Sequence, residues 1–347
     1  SPKWRPHGPR APGAEPYPDE EETWRPYRQP QGPCTDRFTA PEAPLHATDL
    51  NGIVLKDVCF RDDGPHHVFV IGDWGGVGSP PMPADRRSPA FKSGRRPFVP
   101  GADDVAQQNV ARQMQLRARS SNPDYVLNMG DNFYWGGVKV RCGTPPFKCW
   151  DSTRQWQQIF ERIYFGQGLD NKQWLGVLGN HDYGGYSFTS GWDQAIGYTW
   201  ANQDPSTGRW MTPAQYWAVK VRYNSFSVDY YFLDSNVFDA KAPDVDPHHN
   251  MCSRSSNPPG ASCGLQGPRS VDACPFWFQD LWQEELNWLE RNAIRSTADW
   301  QVVVTHFPPT WGKEDWIRLS DKLGIDLIVS GHVHQQEVHY MDPGNFL

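Results

Sequence analysis

The chain has 347 residues and a formal net charge of −7, a balance that argues against a general nucleic-acid binder. Its 38% hydrophobic content and 17 tryptophans are enough to build a sizeable core, in one large domain or two ordinary ones. No run of eighteen or more apolar residues occurs, so no helical membrane span is read from the sequence.

Residues 1–66 read as a Pro-rich N-terminal extension. Pro2, Pro6, Pro9, Pro12, Pro16, Pro18, Pro26, Pro30, Pro33, Pro41 and Pro44 are mixed with Arg, Glu and Trp. Proline at that density excludes regular helices and inner strands. One reading is an extended linker, and the other is an arm that lies on a protein partner. Trp4, Trp24 and Tyr27 favour some packing, because a purely solvated tail seldom carries such rings. The opening SPKWRPHGPR has neither an apolar leader core nor an initiator Met, which fits either a removed leader or a chain that is not exported.

From His67 the texture changes, and residues 67–347 read as one catalytic domain. HHVFVIGDWGG is a buried strand followed by a Gly-rich turn. Residues 103–120 carry apolar side chains at helical spacing, with Asp at the start and Arg near the end, as the helix dipole favours. YVLNMGD is a second strand, QWQQIFERIYF (155–165) a helix, WLGVLGNHD a third strand and FSVDYYFLDSN (226–236) a fourth. An irregular stretch, roughly 239–275, is rich in Pro, Gly and Cys; the clearest helix of the chain follows at 275–296. WQVVVTHFPP is a strand, EDWIRLSDKLG a helix, and IDLIVSGHVH the last clear strand. Strands alternating with helices give an α/β layered fold, with polar motifs at the C-terminal ends of the strands, where ligands are expected.

The seven cysteines form no CxxC zinc pattern. Cys142 and Cys149 bracket a short loop that one disulfide can close, while Cys252, Cys263 and Cys274 punctuate the irregular stretch. An oxidising, extracytoplasmic compartment (secreted, luminal, or vacuolar or lysosome-like) is expected from this usage. The odd count leaves at least one thiol free or paired outside the chain, and the lack of an N-x-S/T sequon pulls against secretion.

Five strand ends carry side chains fit for metals: GDWG with Asp73, GDNFY with Asp131 and Tyr134, GNHD with Asn180, His181 and Asp182, THFPP with His306, and GHVH with His332 and His334. Taken singly, an Asp after a strand is usually a turn former, and a lone His is usually a satisfied core residue. Together, five independent strand ends offering Asp, Asn, His or Tyr are a metal constellation. Two metals side by side need a bridging carboxylate and ligands on each side. In HVH, residues i and i+2 of a strand project to one side and reach both. Phenolate and carboxylate suit a hard ion such as ferric iron, while imidazole suits borderline divalent metals.

The order GDWGG, GDNFY, GNHDY, H, GHVH resembles the calcineurin-like metallophosphoesterases over residues 67–340. The Tyr of GDNFY is similar to that of the purple acid phosphatase branch, and GDWGG to its small, tartrate-resistant type. The resemblance implies a layered α-β-β-α sandwich. By motif position, it also implies that Asp73, Asp131, Tyr134 and His334 hold ferric iron. Asp131, Asn180, His306 and His332 would hold a second ion (Fe, Zn or Mn), with Asp131 as the bridge. His181 would face the phosphate and assist the leaving group. The implied activity is acid phosphatase hydrolysis of a phosphomonoester by a metal-bound hydroxide. No GxSxG or P-loop supports another hydrolase class.

The pattern departs from the family at three points. Tyr183 stands where mammalian members commonly have His. Lys313, Glu314 and Asp315 occupy a loop that in those members carries another substrate-facing His. The family usually continues for tens of residues after GHVH, so the domain is expected to be incomplete at its C-terminal end or completed there by a partner at an open sheet edge. Two alternatives stand beside the leading reading. One is a divalent-metal phosphodiesterase or nucleotidase, against which Tyr134 weighs. The other is a structural or anchoring subunit built on the same fold, against which the complete ligand set weighs.

Overall fold

The computed structural model describes residues 33–76, 99, 101–144, 153–246, 249–342 and 345–346. In chain order its main strands are β1 (Ile53–Val54), β2 (Val58–Cys59), β3 (Val68–Ile71), β4 (Tyr125–Asn128), β5 (Trp174–Gly176), β6 (Trp210–Met211), β7 (Trp217–Arg222), β8 (Ser227–Phe232), β9 (Trp300–Val304) and β10 (Leu327–Val329). They form two sheets. One is all parallel, in the order β3-β4-β5-β6. The other runs β1-β7-β8-β9-β10, with β2 also on β7; only the β7–β8 pair is antiparallel.

Period-2 alternation decides which residues join the two sheets. Tyr125 and Leu127 of β4, and Leu175 of β5, pack against Trp217, Val219 and Val221 of β7, and Tyr230 and Phe232 of β8, in one buried cluster between the sheets. The intervening residues point outward. Val126 and Trp174 join an aromatic cluster with Trp74, Phe160 and Trp210, whose rings meet edge-on or tilted at 5–6.5 Å. Ala218, Tyr231 and Val303 pack under two helices, α4 (Cys274–Ala293) and α5 (Lys313–Leu323), through Leu281, Leu286, Leu289, Trp316 and Leu319. On the other face, α1 (Ala106–Ser121) contributes Ala111 to the outer cluster. Helix, sheet, sheet, helix is the layering the motifs imply.

The helices begin and end where their sequences direct. In α1 the left-handed Asn122 ends the last turn and donates its N–H to Ala118 O at 2.8 Å. α4 has Pro275 in its first turn, and α5 has Glu314 and Asp315 in its first turn, Lys322 in its last and a left-handed Gly324 after it. The expected helix at 155–165 is shorter, a wide turn over Trp156–Glu161. Two short helices follow β5: α2 (Asn180–Tyr183) and α3 (Trp192–Gly197).

Several expectations change. Residues 33–66, read with the N-terminal extension, are bound to the sheet: β1 and β2 pair with β7, and Phe38 is buried, exchanging its N–H and carbonyl with the Gln173 amide. Residues 1–32 lie outside the described ones. Strands β6 and β7 were not among the expected elements. Cys142 pairs with Cys263, not with Cys149, which lies outside the described residues. The reason is tertiary: Arg141 donates to Ser262 O at 3.0 Å and Gly143 lies against the Cys263 backbone, which brings the two Cα atoms to 5.0 Å. Cys34–Cys59 and Cys252–Cys274 are the other bridges.

Two predictions follow from this packing. The Cys142–Cys263 bridge spans 121 residues, and on loop entropy C142A/C263A should lower unfolding stability by about 5 kcal/mol, read from urea titration; a loss under about 1 kcal/mol would refute that account. The second concerns Glu285 of α4, which is buried and accepts the Asp234 N–H at 2.9 Å, while Asp234 accepts the Tyr183 hydroxyl at 2.6 Å. Burial pushes Asp234 up to about 6, and burial with the Asp234 charge pushes Glu285 well above the usual carboxylate range. Both groups keep protons in the folded state that the unfolded chain releases. Their stabilisation is therefore full below about pH 4 and is lost as pH rises through 6 and beyond. The thermal midpoint should fall from about pH 5 to about pH 7.5, and Glu285→Gln should shrink that fall; a midpoint that rises over the interval, or an unchanged slope in the variant, contradicts it.

Candidate metal centre

Each motif lies just beyond a strand. Asp73 follows β3, Asp131 follows β4, Asn180 opens α2 after β5, His306 follows β9, and His332 and His334 follow β10. Parallel strands end on one side, so these five turns are neighbours. Asp73, Asp131, His332 and His334 all take left-handed φ, from 53° to 70°. His332 and His334 are thus in a turn rather than on a strand. Alternation does not aim them as i and i+2; the left-handed backbone does. The turns approach so closely that two of them require glycine. A Cβ on Gly179 would lie 2.2 Å from Asp131 Oδ1, and one on Gly331 would lie 2.5 Å from Asp73 Oδ2.

The side chains meet at two points that share Asp131. At one, the Tyr134 hydroxyl lies 3.1 Å from Asp73 Oδ1, 2.9 Å from Asp131 Oδ2 and 2.8 Å from His334 Nε2, and His334 Nε2 is 3.1 Å from Asp73 Oδ1. At the other, His306 Nε2 is 3.3 Å from Asp131 Oδ1 and 3.1 Å from Asn180 Oδ1. Asp131, His306 and His332 offer ligand atoms within 4.8 Å of one another, and so do Asp73, Asp131 and His334. All seven residues singled out as ligands therefore converge. His181 is adjacent: its N–H donates to Asp131 Oδ1 at 2.9 Å, its ring lies 4.5 Å from that of Tyr134, and its Nδ1 bonds the Trp135 carbonyl.

The electrostatics are those of a cation site. Asp131 is buried, which raises its pKa, but His306 and His181 more than offset this and hold it well below the usual carboxylate range. Burial works against a charged His306; the Asp131 carboxylate outweighs it and takes the imidazole up to about 10. Burial, then His306, pushes His332 down to about 3, leaving the neutral imidazole that a metal needs. Burial and the Asp131 and Asp73 charges push the Tyr134 phenol well up. Among the described residues no Lys or Arg pairs with Asp73 or Asp131. Two carboxylates without a Lys or Arg partner, a phenol, a carboxamide and three imidazoles on two shared points fit metal cations by donor chemistry.

Other residues take different roles from those expected. Asp182 is not brought to the metal-ligand groups. It turns back to accept Asn132 N–H and Nδ2 and Gly179 N–H at 2.8–2.9 Å, and so clips the GDN turn to the GNH turn. Burial and the Asp131 charge push it up to about 8. Tyr183 is fully buried between Asp234 and Gln215, so its departure from the family pattern is a core substitution. Sequence reading missed the supports. Asp239 accepts the Asn180 amide at 3.2 Å, Met129 O holds His306 Nδ1 at 2.7 Å, and Trp74 and Asn132 bracket Asn128 at 2.7 and 2.6 Å. The buried polar side chain at the end of β4 was the available signal for Asn128.

Among curated relatives, tartrate-resistant acid phosphatase type 5 of Oryctolagus cuniculus is 23% identical over 275 residues, covering 76% of this chain and 65% of that protein. Purple acid phosphatase 7 of Arabidopsis thaliana is 28% identical over 286 residues, covering 79% of this chain and 66% of that protein. The chain thus spans slightly less than two thirds of the length of these relatives. Among solved structures, GAP50, titled the anchor in the inner membrane complex of Plasmodium, is 15% identical and superposes with a TM-score of 0.49, covering 80% of this chain and 68% of that one. The calcineurin-like phosphoesterase family model matches residues 66–336, a span that holds all five strand-end motifs, and by that match the chain belongs to this metal-dependent family.

Proposed function

We propose that the protein is an acid phosphatase that hydrolyses phosphomonoesters at a binuclear Fe(III)–M(II) centre, with M being Fe, Zn or Mn. Asp73, Asp131, Tyr134 and His334 would hold the ferric ion. Asp131, Asn180, His306 and His332 would hold the second ion. The observation that carries this is the division of the Asp131 carboxylate: Oδ2 faces Tyr134 and Oδ1 faces His306, as a bridging ligand must. The purple and tartrate-resistant acid phosphatase relatives support the monoesterase reading. Three disulfides support an extracytoplasmic setting, and no helix among the described residues is long and apolar enough to cross a membrane.

When bound, the cations supply Lewis acidity toward the phosphoryl oxygens and lower the pKa of the attacking water. The chain's residues do the rest. His181 Nδ1–H donates a hydrogen bond to the Trp135 carbonyl, so Nε2 is the atom that, in the imidazolium form, would give its proton to the departing ester oxygen and leave the neutral imidazole. The hydrogen bond from the His181 backbone N–H to Asp131 fixes His181 beside the residues that would hold the cations. Asp182 keeps the two turns that carry Asp131 and Asn180 in register.

The test is colour together with turnover. Iron-loaded protein should show a broad visible band, and Tyr134→Phe should bleach it; a colourless iron-loaded protein would falsify the ferric–phenolate assignment. His181→Ala should lower kcat by about a hundredfold or more, with a smaller loss on esters whose leaving groups need no proton. Equal losses on both ester types count against its acid role.

A further inference from the structure

We propose that a cavity of about 280 Å³, at the end of the all-parallel sheet remote from the metal centre, is a second and separate anion site that takes the phosphate group of a small organic phosphate. Its walls are Arg37, Asn171, Gln173, Thr207, Gly208 and Arg209. Asn171 and Gln173 lead into β5, and residues 207–209 lead into β6. These strands are paired and parallel, and Trp174 N–H donates to Arg209 O at 2.7 Å, so the two lead-ins lie side by side. Asn180 follows the other end of β5, so the length of that strand separates the cavity from the metal-ligand residues. Arg37 is brought to the rim by its neighbour Phe38, whose N–H and carbonyl bond the Gln173 amide at 2.7 and 2.9 Å.

The walls hold two arginines and no carboxylate. Arg209 is a fixed floor, 2% exposed. Its Nε donates to Thr207 Oγ1 at 2.7 Å, its Nη1 to Tyr164 O and its Nη2 to Glu161 Oε2 at 2.7 Å, and the guanidinium lies over Phe160 at 4.8 Å. Those bonds use three of its five N–H groups. Glu161 balances its charge, so the net positive charge of the cavity comes from Arg37. The Thr35 and Thr39 hydroxyls both donate to Arg37 O, at 2.9 and 3.3 Å, which pins the backbone there. The Arg37 guanidinium itself is exposed and has no partner among the described residues, nor has the amide of Asn171, which is held in a left-handed turn. Gln173 Nε2 keeps a second N–H after bonding Phe38 O. A guanidinium fork matches an oxyanion. The three terminal oxygens of a phosphate accept from more donors than the two of a carboxylate, which suits four donor side chains around one space. The volume is at the small end of ligand sites, and it leaves room beyond the phosphate for a short polar chain beside Thr207 and Gly208.

The experiment is equilibrium dialysis of the metal-loaded chain against radiolabelled inorganic phosphate. The wild type should hold one more phosphate per chain than Arg37→Ala, with a dissociation constant of about 1 mM or tighter, as two or three charge-assisted hydrogen bonds provide. Arg37→Lys, which keeps the charge without the fork, should weaken that phosphate about three- to tenfold. Because the Arg37 side chain has no partner to lose, Arg37→Ala should keep its thermal midpoint in phosphate-free buffer, which separates lost binding from lost folding. Asp131→Asn should leave the Arg37-dependent phosphate in place. Unlabelled 2-hydroxyethylphosphonate, which is not hydrolysed, should displace it at lower concentration than inorganic phosphate does, and acetate should not displace it. Equal phosphate in the wild type and Arg37→Ala overturns the proposal. So does an Arg37-dependent phosphate that vanishes in Asp131→Asn, since it would then belong to the metal centre. Displacement by acetate, or none by the phosphonate, overturns the organic-phosphate class. Turnover of phosphomonoesters does not enter these outcomes, so the phosphatase reading and this site stand or fall separately.

Discussion

The rest of the site depends on one buried carboxylate. Asp131 is 1% exposed, and its oxygens face different partners, Tyr134 on one side and His306 on the other. A lone anion at that depth costs several kcal/mol, so the fold has to surround it with compensating groups. It does so with the His181 N–H, the His306 imidazole and the approach of Gly179. Metal cations are the remaining compensation that this donor set calls for.

The two-sheet architecture supplies that surrounding. β3, β4 and β5 lie parallel in one sheet, and β9 and β10 lie parallel in the other, so all five turns emerge on one side. The cluster of Tyr125, Leu127, Trp217, Val219 and Phe232 fixes the spacing between the sheets. That core thereby sets the separation of Asp131, on one sheet, from His306, on the other. Helices α4 and α5 cover the outer face without reaching the ligands, which leaves the loop after β9 free to carry Phe307 and Trp311 over His332.

Much of this could be read from the sequence where the signal was local. YVLN and WQVVV were legible as strands from their apolar runs, and the meeting of seven metal-capable side chains from their motifs at strand ends. What could not be read was set by distant partners. β1 and β2, two residues each, exist because β7 offers them an edge. Trp217, Val219 and Val221 of β7 do alternate with more polar Lys220 and Arg222, a period-2 signal that went unread because the run follows a Pro- and Gly-marked stretch. Cys142 finds Cys263 across 121 residues, which no spacing rule foretells. Asp182 and Tyr183 sit beside His181 in the chain but turn away from the ligands, because α2 begins at Asn180 and disperses successive side chains around a helix.

Asp73, Asp131, His332 and His334 stand in a left-handed backbone region that residues other than Gly adopt uncommonly. Each such residue costs about 1 kcal/mol or more of folding free energy. Four of the seven converging positions are therefore among those where the protein's conformation is least self-supporting. Glycine or asparagine would relax the local geometry at the two histidines and remove donors in the same substitution. The site is thus a point of activity–stability trade-off: mutational drift that favours robustness alone would erode it first at His332 and His334, while the sheets beneath stayed intact.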